Sequence, residues 1–298
     1  MIGRPGRARR GATRPAAGPI CRGHDRHCPI GQIEWPTALT IGASTAWRGH
    51  RPSDSQEGNI LAVDGRKQVP IRNRILADLS SKEYARILPD LASVTLKSGQ
   101  VLYEPGAVMH SAYFLDTAIA SILSEAEDGT SIEVSMVGDE GLVGIPIVLR
   151  TQRFPYKIIV QAPGTAWRMK GDVLRKEFDQ CGPLHRLVLY YLHSLLVALS
   201  QSGACNRFHS VQERLCRWLL TSQDRAQSSE IQSTQEVMSQ ILGVTRGSTS
   251  QAASALHRAG LIKYRRGRIT ILDRSGLEAA ACECYRIIKD EFHRFFHT

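Results

Sequence analysis

The chain has 298 residues, 42% of them hydrophobic, and a net charge of +10 from 38 basic and 28 acidic side chains. That length and apolar content allow two domains with real cores. The seven cysteines are odd in number and scattered, which excludes a disulfide framework and is simplest for reduced thiols in the cytoplasm.

The charge sits at the two ends. Residues 1–68 hold 11 basic against 5 acidic side chains, residues 69–205 hold 13 against 14, and residues 206–298 hold 14 against 9. A basic C-terminal module is what phosphate-backbone binding predicts, and a neutral middle is what a sensor or scaffold predicts. Residues 1–68 are rich in Gly, Pro, Arg, Ala and Ser without helical or strand period, so a disordered basic tail is expected. Within it Cys21, His24, His27 and Cys28 lack the spacing of a strong metal motif. Arg9-Arg10 is followed by no apolar segment, so no export signal is expected.

From Ile71 the apolar residues Ile71, Ile75, Leu76 and Leu79 follow a helical period, and a second helix is expected from Lys82 to Leu88, ahead of Pro89. Strand patterns then take over at 94–96, 101–103, 111–115, 119–123, 132–137, 156–160 and 165–169. Glu127-Asp128-Gly129 marks one hairpin, and Pro163-Gly164 is expected to mark another between the last two strands. Short strands at regular spacing predict a barrel, roll or sandwich over 69–180.

Gly182-Pro183 opens a long helix over 181–206. Leu184, Val188, Tyr191, Leu195 and Ala198 recur by four and three, a heptad seam, and Leu187, Leu192, Leu196 and Leu199 widen it. So broad an apolar face is expected to pack on both the strand domain and a second copy of the chain. His185 and His193 are expected at the seam or surface, not as haem ligands. No apolar run suggests a membrane span.

Residues 207–298 begin with a supporting helix, 211–222, which turns Val211, Leu215, Trp218 and Leu219 inward and leaves Arg214 and Arg217 solvated. Ser233 and Glu236 are expected to form a capping box, with Val237 and Ile241 on one face of the next helix. Gly243 ends that helix and Thr245 caps another, whose inward stripe is Thr249, Ala252, Ala253 and Leu256. Its other face shows Arg246, Gly247, Ser250, Gln251 and Ser254. Two short strands follow, 261–264 and 268–272, around the basic turn Arg265-Arg266-Gly267. A helix over 277–296 is expected to close the chain, with the Cys282 and Cys284 thiols pointing apart and serving no metal or redox role.

The segment from Ser233 to Leu272 resembles the winged helix-turn-helix of the CRP-FNR family of bacterial transcription regulators. Arg265–Arg274, RRGRITILDR, followed by Gly276-Leu277-Glu278 and Cys282-Glu283-Cys284-Tyr285, is similar to one subgroup of it. The resemblance implies an α+β architecture: a jelly-roll-like β-roll sensor over 69–180, a dimerisation helix over 181–206 and a winged helix-turn-helix over 207–298. Lys97 to Gly106 resembles the opening hairpin of the family's cyclic-nucleotide-binding-like roll. The implied partners are double-stranded DNA, a second copy of the chain across the seam Leu184, Val188, Tyr191, Leu195 and Ala198, and RNA polymerase where transcription is activated. Arg246, Gly247, Ser250, Gln251 and Ser254 are the expected groove residues. Arg265, Arg266 and Arg268 are expected on phosphates or in the minor groove.

Members that bind cAMP need a carboxylate for the ribose and an arginine for the cyclic phosphate. Here Gly138-Asp139-Glu140-Gly141-Leu142 carries an extra glycine, and Tyr156-Lys157 stands where the arginine belongs, with Arg150 and Arg153 out of register. Glu140, Tyr156 and Lys157 mark the effector pocket by position. The clamp departs from the pattern, so cAMP is not expected as the effector, and Glu140 and Lys157 are expected at the surface or at strand ends. One branch of the family carries an iron–sulfur cluster on N-terminal cysteines; two cysteines at other spacing do not carry it over, and no cofactor is expected. No paired carboxylates, Ser-His-Asp order or phosphate-cradling loop suggests an enzyme.

Overall fold

A computed structural model of the chain describes residues 61–64 and 67–296. The expectations for residues 1–60, including Cys21 and Cys28, lie outside the described residues. The expected tail ends sooner than residue 68, because β1 (Leu61–Asp64) and β2 (Lys67–Pro70) pair as an antiparallel hairpin. The helix expected from Ile71 is one turn, α1 (Arg74–Ala77). Asn73 caps it and is fully buried, its Nδ2 donating to the carbonyls of Leu115 and Gly141 at 2.8 Å each. The next helix, α2 (Ser81–Ile87), starts at a capping box between Ser80 and Glu83 and stops before Pro89.

The strands are β3 (Ala92–Leu96), β4 (Val101–Tyr103), β5 (Ser111–Leu115), β6 (Ile119–Glu125), β7 (Ser131–Val137) and β8 (Leu142–Val143). After the short helix α3 (Ile145–Val148) come β9 (Lys157–Ala162) and β10 (Gly164–Lys170). They form two four-stranded antiparallel sheets, ordered β3-β10-β5-β8 and β4-β9-β6-β7. Leu96, Phe114 and Leu115 of the first sheet and Ile122, Ile158 and Val160 of the second are buried in one core. The turn at Asp128-Gly129 joins β6 to β7 as expected, with Gly129 at φ +81°.

The hairpin expected around Pro163-Gly164 is not a pair. β9 and β10 lie in different sheets, and so do β3 and β4. The chain changes sheets at Pro163, and Gly164 permits it: a Cβ there would sit 2.4 Å from the backbone nitrogen of Ala118. Local alternation reports which residues point inward but not which neighbour a strand chooses. A helix that the sequence did not announce, α4 (Gly171–Asp179), leads from the roll to the long helix.

That helix, α5 (Pro183–Phe208), runs 26 residues. Among the described residues it is the one helix long and apolar enough to cross a membrane by length and composition. Its packing accounts for that apolarity. Leu184, Val188, Tyr191, Leu195 and Ala198, expected as a seam between copies, are all buried within the single chain. They face the roll and the last helix; Tyr191, for instance, closes on Gly141 and lies beside Phe292. A different three-and-four series runs along the outer side: Leu189, Leu192 and Leu199 are half-buried, with Leu192 and Leu199 packed on the edge of the core, while Leu196, 57% exposed, and Gly203 are open.

The remaining elements are α6 (Val211–Ala226), β11 (Glu230–Gln232), α7 (Gln235–Leu242), α8 (Arg246–Arg258), β12 (Ile262–Arg265), β13 (Arg268–Ile271), α9 (Arg274–Ala279) and α10 (Cys284–Phe295). The helix expected over 277–296 is therefore broken at 280–283, with Cys282 inside the break and Cys284 opening the helix after it. Arg214 is buried, not solvated, and donates to the carbonyl of Leu242. The roll and the C-terminal module share a hydrophobic cluster in which Ile119 and Met136 of the roll meet Leu215, Trp218 and Leu219 of α6.

Candidate nucleic-acid interface

The interface begins with two helix caps. Thr234, not Ser233, starts α7, its hydroxyl accepting from the Val237 N–H at 3.2 Å. Ser233 is buried and its N–H reaches the carbonyl of Gly267 instead, which explains why the expected box does not form. Val237 is 40% exposed, whereas Met238, Ile241 and Leu242 turn inward. Gly243 takes the left-handed conformation, φ +60°, and a Cβ there would meet Ile132 of β7 at 2.6 Å. One glycine therefore both turns the chain and lets α7 close on the roll.

Thr245 caps α8 by accepting from the Ser248 N–H at 3.2 Å. Thr249, Ala252, Ala253 and Leu256 are buried, the narrow inner stripe read from the sequence. Small side chains let α8 lie close to α6 and α7 while its outer face stays open. Arg246, Gly247, Gln251 and Ser254 are exposed on that face; Ser250 is half-buried and lies 3.4 Å from the Gln235 amide.

β12 and β13 form the wing, with Arg265 opposite Arg268. The two residues between them, Arg266 and Gly267, have φ +51° and +76°, the mark of a two-residue hairpin turn with both central residues left-handed. Arginine is a costly choice at such a position, which Asn or Gly fills more readily. Lys263 is opposite Thr270 and shares the face of Arg265 and Arg268, so four cations and Glu230 line one shallow groove. Sequence reasoning passed over Lys263, although its two-residue spacing from Arg265 was the available signal. Arg268 pairs with Glu230 at 3.2 Å, both more than half exposed, so water screens the pair.

The structure gives the three residues expected around the effector pocket different neighbours. Lys157 lies 3.4 Å from both Glu104 and Glu125, and Tyr156 packs edge-on against Phe154. Glu140 is neither at the surface nor at a strand end. It is 4% exposed, and its Oε1 accepts from Nε and an Nη of Arg225 at 2.8 and 2.7 Å. Arg225 lies near the end of α6, so this ion pair joins the roll to the DNA-binding module. Beside it, burial and the Glu140 charge push the Asp139 carboxyl up to about 6, against the pull of Arg74. Glu133 on β7 also faces α6; burial pushes its carboxyl up to about 7, opposed by the Ser121 hydroxyl and Arg217. The short helix α3 is apolar throughout, with Ile145, Pro146, Ile147 and Val148 all buried. Arg150 and Arg153 turn outward, to Asp179 and to the carbonyl of Gly106. His185 Nδ1 lies 2.8 Å from the carbonyl oxygen of Phe178, and His193 lies 3.0 Å from Glu291.

Comparison with known proteins agrees with this geometry. Residues 93–181 match the cyclic nucleotide-binding domain model, and residues 213–280 match the Crp-like helix-turn-helix domain model. No curated protein matches the sequence. Among solved structures the chain is similar to FixK2 from Bradyrhizobium japonicum, at 14% identity over 64% of this chain and 98% of that one, with a TM-score of 0.55. It is also similar to the c-di-GMP-responsive global regulator CLP of Xanthomonas campestris, at 13% identity, 65% and 100% coverage and a TM-score of 0.56. A CRP-family transcriptional regulator from Thermus thermophilus shares 18% identity, 63% and 96% coverage and a TM-score of 0.54. At those identities the structures show a common fold. With a cyclic-nucleotide-binding-like β-roll followed by a Crp-like helix-turn-helix in one chain, the protein belongs to the CRP-FNR family of transcription regulators.

Proposed function

We propose that two copies of this chain bind one DNA site, each laying α8 in the major groove and the wing along the phosphates. The observation that carries this is the outer face of α8. Arg246, Gln251 and Ser254 stand exposed on a helix with an inner stripe of small residues, and the cations of the wing follow directly after it. A long arginine at a helix start reaches base edges, glutamine pairs with adenine, and serine serves either base or phosphate. Lys263, Arg265, Arg266 and Arg268 supply charge without a base code. The strained backbone of Arg266 fits a side chain held out for a contact. RNA polymerase is the further partner where binding activates transcription.

Arg246→Ala is expected to cost roughly 1–3 kcal/mol at the specific site and little on scrambled DNA. Arg266→Ala is expected to weaken both alike and to reduce the salt slope by about one unit. Salt-titrated gel shifts check this; equal losses from the two variants on both DNAs contradict the division of roles.

We also infer that the roll does not take cAMP in the manner of cAMP-binding relatives. Its carboxylate, Glu140, is engaged by the chain's own Arg225, and Lys157, standing where the arginine belongs, lies 3.4 Å from Glu104 and from Glu125. Titration with cAMP, followed by tryptophan fluorescence, is expected to show no saturable change. Saturation in the micromolar range contradicts the inference.

A further inference from the structure

Away from the DNA-binding face, two distant segments bring four metal-ligating side chains together. Cys205 lies in the last turn of α5 and His209 is its C-cap. Cys282 stands in the break before α10, and Cys284 is the first residue of α10. Their three sulfurs and one ring nitrogen all lie within 4.8 Å of one another. Cys205 Sγ is 3.5 Å from Cys282 Sγ, and Cys284 Sγ is 3.5 Å from His209 Nδ1. The three cysteines are buried, at 5% exposure or less.

We propose that Cys205, His209, Cys282 and Cys284 form a tetrahedral site for one Zn²⁺ per chain, pinning the end of α5 to the start of α10. A zinc ion with bonds of about 2.3 Å to sulfur and about 2.0 Å to nitrogen separates its ligands by roughly 3.5–3.8 Å; the Cys205–Cys282 and Cys284–His209 pairs already stand at 3.5 Å, and the remaining pairs, all within 4.8 Å, need only close inward on the ion. A disulfide needs its sulfurs at about 2.05 Å, so 3.5 Å is a non-bonded approach. An iron–sulfur cluster spreads its cysteines around several metal atoms, whereas these four donors converge on a volume for one.

The surroundings match a ligand set. His209 presents Nδ1 to the cluster, and its Nε2 lies 3.2 Å from Glu283 Oε2. A carboxylate on the far nitrogen of a ligating histidine fixes its orientation and raises its basicity. Gln201 Nε2 lies 3.1 Å from Cys284 Sγ, placed to donate to a thiolate. Three cysteines and a histidine with no open position describe a structural zinc site.

Its place in the fold gives it a consequence. His209 ends α5, and Ser210 caps α6, so the ion sits where the long helix hands over to the DNA-binding module. α10 runs back along α5, stacking Phe295 on Tyr190. Zinc would hold the junction between α5 and α6 at one angle.

The test uses the full-length chain, untagged and reduced under anaerobic conditions. Metal analysis of the isolated protein is expected to give one zinc per chain. The stripped chain given Co²⁺ is expected to show thiolate charge-transfer absorption and the intense visible bands of tetrahedral cobalt. Cys284→Ser and Cys205→Ser should abolish both signals. Cys181→Ser and a Cys21→Ser/Cys28→Ser chain should keep them, and His209→Cys should keep tetrahedral cobalt with added thiolate absorption. The wild-type chain carries the decisive reading, so a variant that fails to fold does not shield the proposal. It is overturned if the reduced wild-type chain takes up neither Zn²⁺ nor Co²⁺. Iron with labile sulfide, or cobalt uptake unchanged in Cys284→Ser, overturns it equally.

Discussion

Gly243 is the residue on which the DNA-binding geometry turns. It holds φ +60°, and the space a Cβ would need is taken by Ile132 of the roll. Gly243→Ala is expected to cost roughly 1–2 kcal/mol for the left-handed backbone alone. That lowers the thermal midpoint by about 2–8 °C in a chain of this size, as followed by circular dichroism. An unchanged midpoint contradicts the role given to this residue. Gly243, the Thr245 cap and the buried stripe Thr249, Ala252, Ala253 and Leu256 were legible in the sequence, because each depends on neighbours a few positions away. Arg214 and Glu140, which local pattern places at the surface, are both buried. Their partners, Leu242 and Arg225, lie 28 and 85 positions off, and no local pattern announces such a contact.

At the scale of elements, α6 is the connector. Its apolar side joins Ile119 and Met136 of the roll, and Arg225 crosses to Glu140. Both side chains of that pair are at most 10% exposed, so removing one partner strands a buried charge. Arg225→Met is expected to destabilise the chain by roughly 3–5 kcal/mol in urea unfolding, and Glu140→Gln/Arg225→Met to recover much of the loss. Single variants that cost less than about 1 kcal/mol would show the pair to be incidental. The strands themselves were mostly found by alternation, but β9 and β10 were assigned to each other because they are adjacent in sequence. The crossing at Gly164 depends on a close approach to Ala118, which only the assembled roll contains. The C-terminal helix is shorter than its local pattern for a similar reason: the break at 280–283 places Cys282 and Cys284 against the end of α5, contacts between segments 75 or more positions apart. The Cys205-x3-His209 spacing was the local sign of that cluster.

For the whole molecule, the long helix decides between one copy and two. Its predicted seam turned out to be the inner face, since heptad spacing marks an apolar stripe without saying what covers it. The outer series Leu189, Leu192, Leu196, Leu199 and Gly203 keeps the same period, and its exposed member, Leu196, is the contact expected for a second chain. A twofold pair of α5 helices would present two copies of α8 to one duplex, and half-sites about one helical turn apart follow from that symmetry. Selection of bound duplexes from a random library tests this most directly, with wild-type protein run beside Leu196→Glu. The expected result is an inverted repeat with half-site centres about 10 base pairs apart, enriched by the wild-type dimer and lost in a monomeric Leu196→Glu chain. No enrichment by the wild-type protein, or a single unrepeated element bound equally by both, would contradict the account.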